Sequence, residues 1–188
     1  MNVQADGVTP VTYSSCLPIH VEVNERTMPD GAEGILEEAL AEVSALTGLE
    51  FLIDGTTERV PFKDPTRHEE YAPVLIAWTD QSAYTEIDDW AGLGGSGRIR
   101  VGVNGSTSIY VAGQVALNGP AIDQMLDRPR GREQARAIVI HELGHVLGLD
   151  HVEDPTQLMY DAPTVESAQV GDRTGFAMLG QGPCVEAW

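Results

Sequence analysis

HELGHVLGLDH, residues 141–151, is the stretch on which the reading of this chain turns. On a helix, His141 and His145 stand one turn apart, so both imidazoles can reach one metal ion at about 2.0 to 2.1 Å. Glu142 lies a quarter-turn to the side, which sets its carboxylate beside such an ion instead of on it. Gly148 can take positive φ, end the helix and reverse the chain, bringing His151 round as a third nitrogen ligand. At average composition the pattern HExxHxxGxxH arises by chance in a chain this long on the order of once in 100,000.

Three histidines leave a tetrahedral zinc with one open position, the mark of a catalytic rather than a structural site. Magnesium and calcium prefer all-oxygen shells, copper usually recruits sulfur, and a non-haem iron triad would put a carboxylate where His151 stands. The chemistry expected is hydrolysis. Zinc lowers the pKa of its bound water toward 7, and Glu142 takes the proton as that water attacks a polarised peptide carbonyl. The same carboxyl then protonates the leaving amine.

Outward from the motif, helical periodicity extends over 131–147. Val139, Ile140, Leu143, Val146 and Leu147 share one side, and Gln134, Ile138, His141 and His145 share the other. This predicts an apolar back laid on a sheet and two imidazoles presented to a cleft. Upstream, alternation predicts a strand over 17–23. Ile35, Leu36, Ala39, Leu40, Val43 and Leu46 predict a helix closed by Gly48, and a second strand follows over 49–53. A polar loop with Lys63 and Pro65 precedes a buried strand over 74–78. Runs over 98–103 and 109–117, joined by Asn104-Gly105, read as hairpin partners. The last helical signal covers 174–179, with Asp172 placed to cap it. Residues 1–15 lack periodicity and read as a loose arm, leaving 16–188 as a single domain.

The chain has 188 residues, with 29 Asp and Glu against 11 Lys and Arg and a formal net charge of -18. Such a surface repels phosphate backbones, which excludes nucleic-acid partners, and anionic lipid headgroups. No run approaches the roughly 18 apolar residues of a membrane span. Its start, MNVQADGVTP, has neither the basic residues nor the apolar run of a signal peptide, so a secreted parent is expected to have lost its targeting segment. Nothing in the sequence demands an oligomer, and a monomer is expected.

Cys16 and Cys184 allow one intramolecular pairing. A bridge would stabilise the fold by roughly 5 kcal/mol in the loop-entropy account and imply an oxidising compartment. Two buried free thiols, and Cys16 as a thiol blocking the metal, are the alternatives.

The eleven-residue motif, followed eight residues after His151 by Met159 within LMY, resembles the metzincin metallopeptidases, and the short spacing is most similar to their matrixin branch. The strand-helix-strand opening over 16–53, YVAGQVALNG at 110–119 and GDRTGFAMLG at 171–180 resemble small secreted bacterial matrixin-like domains. The resemblance implies an α+β, zincin-like fold: a twisted mixed sheet of about five strands with three helices. The upper part, 16–148, carries the active-site helix, and a small lower part, 149–188, follows the glycine turn. It further implies His141, His145 and His151 as zinc ligands, Glu142 as catalytic base, and Met159 as the Met-turn residue beneath the metal, where residue type alone would give a core methionine.

The implied activity is that of a secreted, extracellular zinc endopeptidase acting on peptide or protein substrates. Its alternative is a catalytically silent zinc-containing module of the same fold that binds a peptide or partner. An extended substrate is expected to add a strand to the sheet edge, placed by the family architecture at 98–103, and 160–164 is expected to wall the pocket just beyond the cut. Val152 and Asp161 depart from the small hydroxyl residue and the proline usual in animal matrixins. Only His20 and His68 lie outside the motif, too few for the second zinc of those relatives, and both read as ordinary surface or core histidines. Asp80, Glu86, Asp88 and Asp89 are candidate calcium ligands, with a solvated acidic cluster as the alternative.

Overall fold

The structure, a computed structural model, describes residues 1–62, 72–101 and 106–186. Lys63, Pro65, His68 and the Asn104-Gly105 turn lie outside the described residues. The elements run β1 (Ile19–Asn24), α1 (Ile35–Thr47), β2 (Phe51–Thr56), β3 (Val74–Thr79), a 3-10 turn at Thr85–Asp89, β4 (Gly92–Val101), β5 (Thr107–Asn118), α2 (Gly119–Leu126), α3 (Gly131–Leu147) and α4 (Val170–Leu179).

The strands form one mixed sheet in the order β2-β1-β3-β5-β4. β1 pairs in parallel with β2 and β3, and β3 with β5, so apolar crossovers must cover the sheet. β4 alone runs antiparallel, against β5, and forms an edge. The two are hairpin neighbours as expected, but β4 begins at Gly92, inside what reads in the sequence as a glycine-rich loop. All six residues of β3 are buried, as its continuous apolar run requires of a central strand. Val74, Ile76 and Trp78 join the main core with Val21, Val23, Val115 and Leu117, where Ile35, Ala39 and Val43 of α1 and Ile140, Leu143 and Val146 of α3 meet them.

Among the described residues, four helices stand where three are expected. The additional one is α2, whose N-cap Asn118 accepts the backbone N–H of Ala121 at 3.1 Å and whose first turn contains Pro120. At eight residues it is too short for a convincing apolar period. α4 starts at Val170, earlier than the expected 174, because Gln169 is its N-cap and Asp172 sits at the third helical position, closing a capping box.

The expected apolar back of α3 is buried, and burial reaches further round the helix than that. Ala135, Ala137, Val139, Ile140, His141, Glu142, Leu143, Gly144, Val146 and Leu147 are all buried, so the helix is enclosed on more than its apolar back. Gly144 explains part of this: a Cβ there would lie 2.6 Å from the Sδ of Met159 and 3.3 Å from the ring of Phe176. The chain after the glycine turn therefore packs against the face that carries the histidines.

Residues 1–15 do not behave as a loose arm. Val11, Thr12, Tyr13 and Ser14 are buried, Thr12 bridges Ile109 at the start of β5, and the Gln4 side chain donates to the carbonyl of Ser108 and accepts its N–H. The polar side chains of the segment hide its attachment from an apolar-period reading. Cys16 and Cys184 are disulfide-bonded, with Cα atoms 5.1 Å apart, which settles the choice left open by the sequence.

Candidate metal centre and cleft

Gly148 ends α3 with φ 115°, in the left-handed region that favours glycine, and its N–H returns to the carbonyls of Gly144 and His145. The reversal brings His151 back onto the helix. The Nε2 atoms of His141, His145 and His151 lie 3.1, 3.1 and 3.2 Å from one another. Nitrogens at the corners of a tetrahedron about a zinc ion at 2.0 to 2.1 Å are separated by about 3.3 Å. Three ring nitrogens packed this closely could hold one metal ion.

Two of the rings are oriented from behind. The Nδ1–H of His141 donates to the carbonyl of Leu158 at 2.8 Å, and that of His145 to the carbonyl of Leu149 at 2.8 Å. Each bond fixes the proton on Nδ1 and leaves the Nε2 lone pair facing inward. Burial pushes His141 down to about 4 and lowers His145, each against the opposing effect of its backbone acceptor. Both shifts favour the neutral ring, the form in which an imidazole binds a metal.

Glu142 is 6% exposed, and no hydrogen bond reaches its carboxylate among the described residues. Burial alone pushes it up to about 8. β4 passes directly over it: a Cβ at Gly92 would meet the Glu142 side chain and one at Gly94 its backbone carbonyl. The part of the edge strand beside Glu142 is therefore the glycine-rich start of β4. Of the expected 98–103, residues 98–101 form the far end of that strand, and 102 and 103 lie outside the described residues.

Met159 is 1% exposed and lies against α3 at Gly144. The turn that carries it is held by Asp172, whose carboxylate accepts the N–H groups of Leu158 at 2.7 Å, Met159 at 3.0 Å and Gln169 at 2.7 Å. Asp172 reads in the sequence as a helix cap, and its second role depends on long-range packing that periodicity does not report. Beyond Met159, Tyr160 bridges Val152, and the next residues run along the outside. A cavity of about 390 Å³ lies behind His151, against Val152, Met159 and Gly175. Neither Glu142 nor any residue of β4 lines it.

The acidic cluster does not assemble. Asp80 takes Ser82, the N–H of Ala83 and Arg26, Asp88 accepts from Gln81, and Glu86 accepts from Tyr84. Among the described residues these carboxylates do not converge on a common point, and the side chain of Asp89 lies outside that description. His20 is exposed and paired with Asp54 at 2.8 Å, a surface histidine.

With this geometry in place, the matrixin family model matches residues 22–172. The chain belongs to the matrixin family. The match runs from within β1 to the start of α4 and takes in the whole HExxHxxGxxH segment, Met159 and Asp172. No curated protein matches the chain. Matrixins are zinc-binding metallopeptidases, and their peptide or protein substrates are those of the family to which this chain belongs. The five-stranded mixed sheet with four helices is consistent with the α+β matrixin fold.

Proposed function

We propose that this matrixin is a secreted zinc-dependent endopeptidase in which His141, His145 and His151 hold the ion through Nε2 and Glu142 is the catalytic base. The observation that carries the reading is the mutual approach of the three Nε2 atoms, with a buried carboxylate on the adjoining residue of the same helix. Zinc bound there supplies Lewis acidity to the scissile carbonyl and to the attacking water. Glu142 takes a proton from that water and returns it to the leaving amine nitrogen. Burial favours this double duty, because it pushes the carboxyl up to about 8 and strengthens its hold on the proton, while a nearby cation would act in the opposite direction. The carbonyls of Leu158 and Leu149 keep two of the imidazoles from rotating through the cycle.

The substrate binds as an extended strand along the outer edge of β4, which has no strand on that side among the described residues. Backbone pairing holds the scissile peptide in register whatever its side chains. Gly92, Gly94 and Gly95 leave three of the first four positions of that edge without a side chain, with Leu93 between them. Tyr160 and the residues after it wall the pocket beyond the cut. The Cys16–Cys184 disulfide supports an extracytoplasmic location, where such bonds persist.

The test is hydrolysis of casein and of a quenched peptide library by purified protein, with and without a chelator. Chelation abolishes turnover, one equivalent of zinc restores it, and Glu142→Ala leaves about 10⁻³ or less of kcat with zinc still bound. Chelator-insensitive turnover rejects the mechanism. Zinc bound stoichiometrically by a chain that hydrolyses no peptide favours the catalytically silent module.

A further inference from the structure

The sheet edge above α3 contains glycine at 92, 94 and 95, and the three differ in what surrounds them. At Gly95 a Cβ would meet nothing within 4 Å. At Gly94 it would come within 2.5 Å of the Glu142 carbonyl oxygen, and at Gly92 within 2.7 Å of Glu142 Cγ and 2.9 Å of Oε1. Neither Gly92 nor Gly94 has a φ in the left-handed region, so any residue could adopt their backbone conformation. What these two positions require is space, and the space at Gly92 is occupied by the side chain of Glu142.

We propose that Gly92 is a positioning residue for Glu142: the missing Cβ leaves the room in which the carboxylate is held beside the imidazole triad. Gly94 lets β4 lie close enough to α3 for that room to be narrow. Ser96 continues the contact, its hydroxyl donating to the carbonyl of Val146 one helical turn further along α3. Glu142 has no hydrogen-bond partner among the described residues to fix its carboxylate, so the wall formed by β4 restricts its rotamers by shape alone. The catalytic consequence rests on Glu142 being the base, as proposed above. The steric relationship does not.

The experiment is a double-substitution cycle on the zinc-loaded full chain with Gly92→Ala and Glu142→Ala. In the presence of Glu142, Gly92→Ala is expected to lower kcat by about 10²-fold, the scale for an ångström of misplacement. KM stays within about threefold, and bound zinc stays near one per chain. It is also expected to lower Tm, whereas in the Glu142→Ala background, where Cγ and the carboxyl are gone, it leaves Tm unchanged. If Gly92→Ala alone does not fold, recovery of folding in the double variant is the supporting result. Equal destabilisation in both backgrounds, or an unaltered kcat, overturns the proposal. The Tm cycle reads the contact without turnover, so a chain that hydrolyses no peptide yet shows the coupling would leave the positioning role standing while removing the peptidase reading.

Discussion

Asp172 accepts the backbone N–H of Leu158 at 2.7 Å, and the carbonyl of that same Leu158 takes the Nδ1–H of His141 at 2.8 Å. One residue of the Met-turn thus links a carboxylate in the first turn of α4 to a ring of the triad on α3. The helix that ends the domain fixes the orientation of an imidazole 31 positions earlier.

Asp172→Asn keeps the shape of the side chain but sets an NH₂ group against at least one of the three N–H groups that the carboxylate now accepts. Lost charge-assisted bonds and a buried donor facing a donor are expected to cost about 2 to 4 kcal/mol of stability. Zinc affinity should fall roughly 10- to 100-fold, the usual penalty for disturbing a group behind a metal ligand. Thermal melts, with competition against a chromophoric chelator, measure the two effects separately. A lowered Tm with full zinc affinity would show that Asp172 serves the fold alone.

Much of this site is legible in the sequence because its parts are local. His141, Glu142 and His145 sit on one helix, and Gly148 announces the reversal that returns His151. β3 is equally plain, an unbroken apolar run from Val74 to Trp78 between Pro73 and Thr79. The start of β4 is not, because Gly92, Gly94 and Gly95 have low strand propensity. Pairing with Leu117, Val115 and Gln114 of β5 makes them a strand, and such pairing is a tertiary fact. The anchoring of 1–15 escaped for a related reason: Gln4 is held by two backbone hydrogen bonds to Ser108, a residue more than 100 positions away.

Gly148→Ala tests the reversal. Its φ of 115° strains any L side chain, and a Cβ there would lie 2.9 Å from the ring of Tyr110. A cost of about 1 to 3 kcal/mol is expected. Because His151 enters three residues later, zinc affinity should drop with it. Isothermal titration with zinc is the check, and Tyr110→Ala in the same chain should recover part of the steric loss but none of the backbone strain.

The Cys16–Cys184 bond spans 168 positions and ties the end of the N-terminal segment to the chain beyond α4. Ser14 adds to this closure, its Oγ accepting the N–H of Val185 and donating to the carbonyl of the same residue. Replacing both cysteines with serine is expected to remove about 5 kcal/mol and lower Tm by about 10 to 20 °C. Neither sulfur belongs to the triad, so the zinc stoichiometry of whatever remains folded should be unchanged. A shift of a degree or two would mean that the unfolded chain is already compact.

Removal of the metal should expose opposing pH limbs. Glu142 is raised from 4.5 to about 8 by burial, so the stability it contributes is full below 4.5 and is lost as pH climbs through 8. His141 is lowered from 6.5 to about 4, so its contribution is full above 6.5 and is lost as pH falls through 4. The chelated protein should therefore weaken toward both ends of the range from 4 to 8. Glu142→Gln removes the alkaline limb alone. Relative to the unsubstituted chain it should be no more stable near pH 4, increasingly so between pH 4.5 and 8, and by up to about 5 kcal/mol beyond. Urea denaturation of both chelated proteins across that range provides the comparison. With zinc restored the difference should shrink, since a cation beside the carboxylate relieves the penalty that burial imposes. A pH-independent difference between the two chelated proteins would mean that Glu142 is solvated in the metal-free state.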